Sequence, residues 1–479
     1  MHRLSGEDAG FLSMEQPEQA MNTIAVGILR RPDGGPTSLT LDDVRRHVEA
    51  RLDQLPSFRW RIVPVPLGLD NPMCVRDPDF DLDFHLRQRW LDPGETLDDA
   101  FADLAERHLD RRHPLWQLTL LHGVPADAAR CRAGEADGEP GQALVLKYHH
   151  CLADGVAALT TFTRVFSDQA TDPIPGEPRP WRPERIPGPF ALLVLALVDL
   201  LRRLLALPGL ALRTKRGADA AKARRVAAPV EVPEFSGAAP NTVLNDAFTA
   251  PRAYARAAVP LDGAKAIKDA AGCTLNDVCL AIVAGGLRGY LAEHGSMPGR
   301  PLLASVPVSY EAADAPPRQA GNRFWSFTTS LATDVADPAE RLATISAVAA
   351  EAKEQLSLLG PELVPAWLDH VPPLVSKPGA RALVERLKAA GPDDLVDANV
   401  LVSNIRGPAA PFELLGAVVE ELWIDGPPSN GVGCNVMLWS YGDRLLFGVL
   451  AFADALQHPT SLEAHLAQAY DDLAAAFLT

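Results

Sequence analysis

The chain has 479 residues, 47% of them apolar and 22% charged, a balance that excludes general disorder and allows two or three domains of roughly 150 residues each. Its formal net charge of −16 repels a phosphate backbone and excludes nucleic acid as the main partner. Its six cysteines form no CxxC pair, so neither a zinc ribbon nor a disulfide framework is expected, and a reducing cytoplasm suits them.

The opening MHRLSGEDAGFLSMEQPEQ carries acids where a secretory signal needs an unbroken apolar stretch, so no such signal is expected. Residues 22–29 (NTIAVGIL) suit a strand, 41–55 an amphipathic helix, and 58–65 a strand in which Arg59 and Arg61 alternate with apolar neighbours. A helix is predicted over 97–109 and strands over 116–121 and 143–150, the last two separated by an exposed Gly-, Asp- and Glu-rich loop at 125–141. After Asp154, the residues Val156, Leu159, Phe162, Val165 and Phe166 recur at helical spacing. Residues 172–189 are dense in proline, which ends the first unit.

The most apolar segment, 190–212, is interrupted by Asp199, Arg202 and Arg203 before it reaches the roughly 20 residues that span a bilayer. Arg213, Lys215, Arg216, Lys222, Arg224 and Arg225 follow. A helix lying on an anionic lipid surface fits this pattern, and so does a helix packed between two domains with a solvated basic tail. The second half returns to mixed elements: strands at 253–259, 302–309, 327–331, 398–404, 418–424, 434–440 and 445–451, and helices at 276–293, 338–358, 380–390 and 461–477. The expected organisation is α/β, with a first half over 1–175, a connector over 176–240 and a second half over 241–479.

Residues 147–155 read KYHHCLADG. On a strand, Tyr148 and His150 share one side and Lys147 and His149 the other, so one histidine faces a given cleft. Diverging rings argue against a metal site, and none is assigned. A purely structural pair is one reading. The other is general base catalysis by His150, whose side chain takes and returns a proton near its ordinary pKa of about 6.5, with His149 in support.

Asp154 precedes a helix and reads first as an N-cap; its carboxylate also stands close enough in sequence to brace the turn or orient the base. Gly155 permits a close backbone approach or an unusual φ at that turn. Cys151 invites a covalent acyl intermediate, but its apolar neighbours suit a buried, inert thiol. Thr274 and Asp277 have the form of a capping box, which makes Asp277 a helix cap.

HHCLADG matches the HHxxxDG pattern shared by wax ester synthases/diacylglycerol acyltransferases, peptide-synthetase condensation domains and, more loosely, chloramphenicol acetyltransferases. Along nearly its whole length the chain resembles the bacterial wax ester synthase/diacylglycerol acyltransferase family. The resemblance rests on LSGEDAGFL at 4–12, HPLWQLTLLHG at 113–123, TLNDVCLAIVAGGLRGYL at 274–291, VPVS at 306–309, Gly321 with Asn322, SNIRGP at 403–408 and the later SYGDRLLFGVLAFAD. Two departures fall outside the histidine block: SNIRGP stands where the family usually has SNVPGP, and Tyr310 and Glu311 follow VPVS where a basic residue is common.

The resemblance implies two chloramphenicol-acetyltransferase-like halves, each a mixed sheet flanked by helices, with an active-site tunnel at their interface. It implies transfer of a long-chain acyl group from acyl-CoA, a co-substrate rather than a bound cofactor, to diacylglycerol or a fatty alcohol, yielding triacylglycerol or wax ester. His150 is then the base, and Asn276 lies near it as active-site support or an oxyanion donor. A cytoplasmic protein touching a membrane or lipid inclusion peripherally fits such substrates. The competing functions are a condensation-type acyltransferase with carrier-bound or amine substrates and a lipid-binding protein without turnover.

Overall fold

Strands Asn22–Arg30 and Gly141–His149 are buried along all nine residues of each, as central strands covered on both faces must be. The computed structural model describes residues 1–129, 139–169, 181–234, 237–312, 315 and 318–478. Cys131, part of the predicted loop at 125–141 and the first residues of the proline-dense stretch lie outside them.

The two strands pair antiparallel inside a six-stranded sheet ordered Phe412–Leu414, Ala417–Asp425, Asn22–Arg30, Gly141–His149, Trp116–Val124, Leu86–Trp90. A second six-stranded sheet runs Phe324–Ser330, Leu303–Ser309, Val400–Ile405, Cys434–Tyr441, Arg444–Phe452, Arg252–Pro260, with parallel pairing on both sides of Val400–Ile405. Each sheet anchors its own apolar core. A small sheet of His2–Arg3, Met73–Arg76 and Trp60–Val63 packs with the connector through a third cluster that includes Val65, Val75, Leu192 and Ala196.

Two strands of the first sheet, Phe412–Leu414 and Ala417–Asp425, come from far down the chain, after Val400–Ile405 of the second sheet. A cut at residue 240 therefore does not separate the sheets. The crossing strand pairs with Asn22–Arg30, so the halves are joined by main-chain hydrogen bonds as well as by packing.

Several predicted elements differ in extent, three of them for an evident reason. The helix at 41–55 stops at Glu49, and the strand at 58–65 narrows to Trp60–Val63 because a 3₁₀ turn, Pro56–Arg59, occupies its start. The connector is one continuous helix, Pro189–Ala227, that runs through Pro208 and takes in the whole basic run. Proline there forfeits one backbone bond, and the helix continues past it to Ala227. Among the described residues, one helix, Leu275–Glu293, is long and apolar enough to cross a membrane, and most of it is buried inside the protein.

Candidate active site

Strand Gly141–His149 ends one residue before the second histidine. His150 opens a 3₁₀ turn, His150–Leu152, which leads into helix Gly155–Phe166. The strand pairing is handed on rather than lost, since the His150 N–H donates to the Met21 carbonyl at 2.8 Å.

The two imidazoles diverge. The Cys151 N–H donates to His149 Nδ1 at 3.1 Å, so that nitrogen carries no proton and Nε2–H donates to Glu15 Oε2 at 2.9 Å. Burial holds His149 below the ordinary histidine pKa, against the pull of Glu15, in keeping with a neutral ring. Burial opposes the charge on Glu15 too, yet hydrogen bonds from His108 and His149 and the nearby Arg111 charge hold its carboxyl well below the usual carboxylate range. His149 thus spends both nitrogens on fixing the turn.

His150 has the opposite surroundings. Its ring stacks on Phe11, with centroids 4.1 Å apart and planes at 21°, and lines a cavity of about 210 Å³. Nδ1 is enclosed and without a hydrogen-bond partner among the described residues, which leaves Nε2 as the ring's access to the cavity. Burial pushes its pKa down to about 4, with the Asp154 charge and its own carbonyl opposing, so at neutral pH the ring is an unprotonated base. The facing wall comes from the second sheet and its loops: Pro307, Ser309, Leu401, Ser403, Asn404 and Ile405.

Asp154 caps helix Gly155–Phe166 through Oδ1, which accepts the Ala157 N–H at 2.9 Å. Its other oxygen accepts from Arg318 Nη2 at 2.7 Å and from the Arg323 N–H at 2.8 Å. The carboxylate therefore ties the histidine turn to residues 318–324. Main-chain hydrogen bonds run alongside, from the Gly321 N–H to the Leu152 carbonyl at 2.6 Å and from the Asp154 N–H to the Gly321 carbonyl at 3.3 Å. Asn322 Nδ2 donates to both the His150 carbonyl, at 2.9 Å, and Asp8 Oδ1, at 2.7 Å.

Asp8 and Phe11 belong to helix Gly6–Met14, opened by Ser5 in a capping box with Asp8. Gly6 is needed there for space: a Cβ would lie 2.1 Å from the Leu368 carbonyl carbon. Glu7, one turn from Phe11, is pushed up to about 8 by burial, with hydrogen bonds from the Phe324 N–H and the Tyr310 hydroxyl opposing. LSGEDAGFL, HHCLADG and the GN pair are thus one assembly. The sequence displays the S-x-x-D cap of the first but not the stacking of Phe11 on His150, nor the roles of Glu15, Arg318 and Asn322.

Gly155 serves close approach. Its φ is not positive, and a Cβ would sit 2.1 Å from Ile405 Cδ1, one of the two residues, with Arg406, by which SNIRGP departs from SNVPGP. Cys151 is fully buried, and burial raises its thiol well above the ordinary value, which suits an inert core cysteine. Asn276 does not line the cavity: it sits in the first turn of Leu275–Glu293, its Oδ1 accepting from Asn404 Nδ2 at 3.4 Å, and Asn404 is the residue at the cavity wall. Asp277 accepts from the Thr274 N–H at 2.9 Å and from Ser346 Oγ at 3.0 Å, a cap that also ties two helices.

The wax ester synthase/diacylglycerol acyltransferase catalytic-domain model matches residues 4–279, and the C-terminal-domain model of the same family matches 320–474. A Mycobacterium tuberculosis protein provisionally named a diacylglycerol O-acyltransferase is 34% identical over 469 residues, 97% of this chain and 94% of that one. Another from the same organism, with the same provisional name, is 31% identical over 482 residues, 99% of this chain and 98% of that one. Among solved structures, a wax ester synthase/diacylglycerol acyltransferase from Marinobacter aquaeolei VT8 superposes with a TM-score of 0.65 at 24% identity, covering all of both chains. The first condensation domain of the CDA synthetase superposes at 0.54 and 14% identity, covering 100% of this chain and 97% of that one. These likenesses carry the fold: two chloramphenicol-acetyltransferase-like halves, each a mixed sheet flanked by helices.

Proposed function

The chain belongs to the wax ester synthase/diacylglycerol acyltransferase family and is an acyltransferase; from that premise we propose that it transfers a long-chain acyl group from acyl-CoA to the hydroxyl of a diacylglycerol or fatty alcohol. The observation that carries the proposal is His150: a neutral, half-buried imidazole held by its neighbours with Nδ1 enclosed and its other nitrogen toward a cavity between the two sheets.

Nε2 of His150 takes the hydroxyl proton as the alcohol oxygen attacks the thioester carbonyl, and returns it to the CoA thiolate as the tetrahedral intermediate collapses into ester and thiol. Asn322 and His149 act through the main chain: one holds the His150 carbonyl, the other the Cys151 N–H. The turn that carries the ring is thereby held, and the stack on Phe11 sets the ring's plane, before substrate arrives. Acyl-CoA is a co-substrate in this reading, and a water-insoluble acceptor suits a cytoplasmic protein in peripheral contact with membrane or lipid inclusions.

The test is CoA-thiol release by purified protein given palmitoyl-CoA with hexadecanol or dioleoylglycerol, beside His150→Ala. Acceptor-dependent release that the substitution abolishes is expected. Release from carrier-bound thioesters alone, or binding without release across a broad acceptor panel, overturns the proposal in favour of a condensation-type enzyme or a lipid-binding protein respectively.

A further inference from the structure

Helix Pro189–Ala227 is amphipathic in the wrong sense for a soluble surface. Its inward side, with Leu192, Ala196, Arg203 and Leu210, is buried. At 100° per residue, Phe190, Val194, Leu197, Leu201, Leu204 and Leu205 fall in one stripe on the opposite side. All six are exposed, Phe190 and Leu205 by 80% and 84%. Farther along the same outward side, exposed Arg216 and Lys222 replace the leucines, with Lys215 paired to Asp219 at 2.7 Å beside them, a local cationic stretch in a chain whose formal net charge is −16.

The stripe is not isolated. Leu67 and Leu69 stand exposed on the turn after Trp60–Val63, and Leu374 and Val375 on the first turn of helix Pro373–Lys388. These elements are packed together: a Cβ on Gly68 would lie 3.0 Å from the Leu374 nitrogen. Arg203 fastens the connector to both neighbours through Asp70 Oδ1, at 2.5 Å, and the Asp369 carbonyl, at 2.6 Å. The result is a contiguous apolar surface with a cationic flank, built from three elements.

A cavity of about 510 Å³ opens within this surface, lined in part by Gly68, Pro373 and Lys377 of those elements. Exposed Pro64 and Lys377 mark its outer end, and half-buried Gly68 and Ile186 line it farther in. Lys377 is flanked by Arg111 and Arg381 and has no acidic partner among the described residues. The inner end is apolar and buried, at Ala9, Leu12 and Leu115. Leu12 adjoins Phe11, which stacks on His150, and the Leu115 carbonyl accepts the His149 N–H at 3.0 Å. One helix, Gly6–Met14, therefore separates the bottom of this cavity from the reaction cavity.

We propose that this surface docks on an anionic lipid bilayer and that the cavity opening within it receives an aliphatic chain of a lipid drawn from that bilayer. Apolar side chains enter the acyl boundary while the cationic end meets anionic headgroups, the combination that holds interfacial helices in place. The docking half stands by itself. The cavity half rests on the lipid-acceptor reading above.

Full-length protein is floated with vesicles of phosphatidylcholine alone and with 30% phosphatidylglycerol, in about 0.1 M salt. Wild type floats with the anionic vesicles and only weakly with the neutral ones, and Leu201→Asp/Leu205→Asp reduces flotation at least tenfold. A diacylglycerol carrying a diazirine at the end of one chain, embedded in those vesicles, labels peptides containing residues 63–68 or 373–377. Ile186→Trp, which narrows the passage below the mouth, keeps flotation and lowers that labelling at least fivefold.

Flotation unchanged by the paired aspartates overturns docking by this surface, as does wild type that sediments as a dimer and stays off vesicles, since a second copy would then cover the stripe. Labelling that falls elsewhere, or that Ile186→Trp leaves intact, overturns the cavity. These readouts need no turnover, so they are separable from a failure to release CoA, which bears on the proposed reaction.

Discussion

Two cavities flank the helix Gly6–Met14, and they differ in what they gather. The smaller one, about 210 Å³, has a histidine at its wall whose every neighbour is tied to another part of the chain. The larger one, about 510 Å³, is mostly aliphatic at depth and carries its cations toward the outside. On the proposed roles, size follows the bulk of the chain received, whereas chemistry follows how rigidly a titratable group is aimed. Removing His150 and shaving the larger cavity should accordingly have very different consequences.

His150→Ala is expected to lower kcat by about 10² to 10⁴, the usual contribution of a general base, while costing only about 1 kcal/mol of stability through the lost stack on Phe11. Val63→Ala, in the larger cavity, is expected to leave turnover of a short, water-dispersed alcohol within about threefold while costing about 1 kcal/mol of stability. Equal losses of turnover in the two variants would erase the distinction between the cavities.

Next in size comes the tie between the halves. Asp154→Ala removes a helix cap and one of two carboxylate partners of the largely buried Arg318, and losing half of a buried ion pair costs about 3 kcal/mol. Asp154→Asn keeps an oxygen for the Ala157 N–H and should recover about 1 kcal/mol of that loss in chemical denaturation. A substitution that left stability alone and removed only activity would make Asp154 a group acting on the base itself, which its hydrogen bonds do not suggest.

The pH profile sharpens the same contrast at the level of charge. Burial pushes His150 down to about 4 from 6.5, with Asp154 opposing. A histidine that is harder to protonate in the fold contributes stability fully present above pH 6.5 and lost as the pH falls toward 4. The acid limb of kcat/KM for CoA release should accordingly lie below pH 6.5, displaced toward 4, and be absent from the residual activity of His150→Ala. An acid limb at or above 6.5 would mean that the free enzyme's ring is better solvated than its surroundings here imply.

What could be read from the sequence follows the range of the interaction. HHCLADG, its following helix and most strands were legible because period, caps and turns are local. The pairing of Ala417–Asp425 with Asn22–Arg30 was not, since strand order is not written in strand pattern. The continuity of the connector helix was not legible, because Pro208 argues locally for a break and the helix on both sides overrides it. Glu7, Asp8 and Glu15 look like surface acids near the start of the chain; their partners, Tyr310, Asn322 and His149, lie hundreds or scores of residues away. Motif resemblance placed these segments in one protein, and only the fold placed them in one site.

Asn276 carries the smallest expected effect and separates two accounts of the reaction. An oxyanion donor must stand about 3 Å from the developing charge, and losing one costs on the order of 2.7 to 4 kcal/mol, a factor of about 10² to 10³ in kcat. Asn276 reaches the cavity only through Asn404, at 3.4 Å, and Asn404 is the residue exposed there. Asn276→Ala should therefore lower kcat by less than about threefold, through a loosened Asn404, while Asn404→Ala has the larger effect of the two. If instead Asn276→Ala costs a hundredfold with KM unchanged, the first turn of Leu275–Glu293 must move toward His150 when substrate binds, and the second half would supply a reacting-site group as well as a wall.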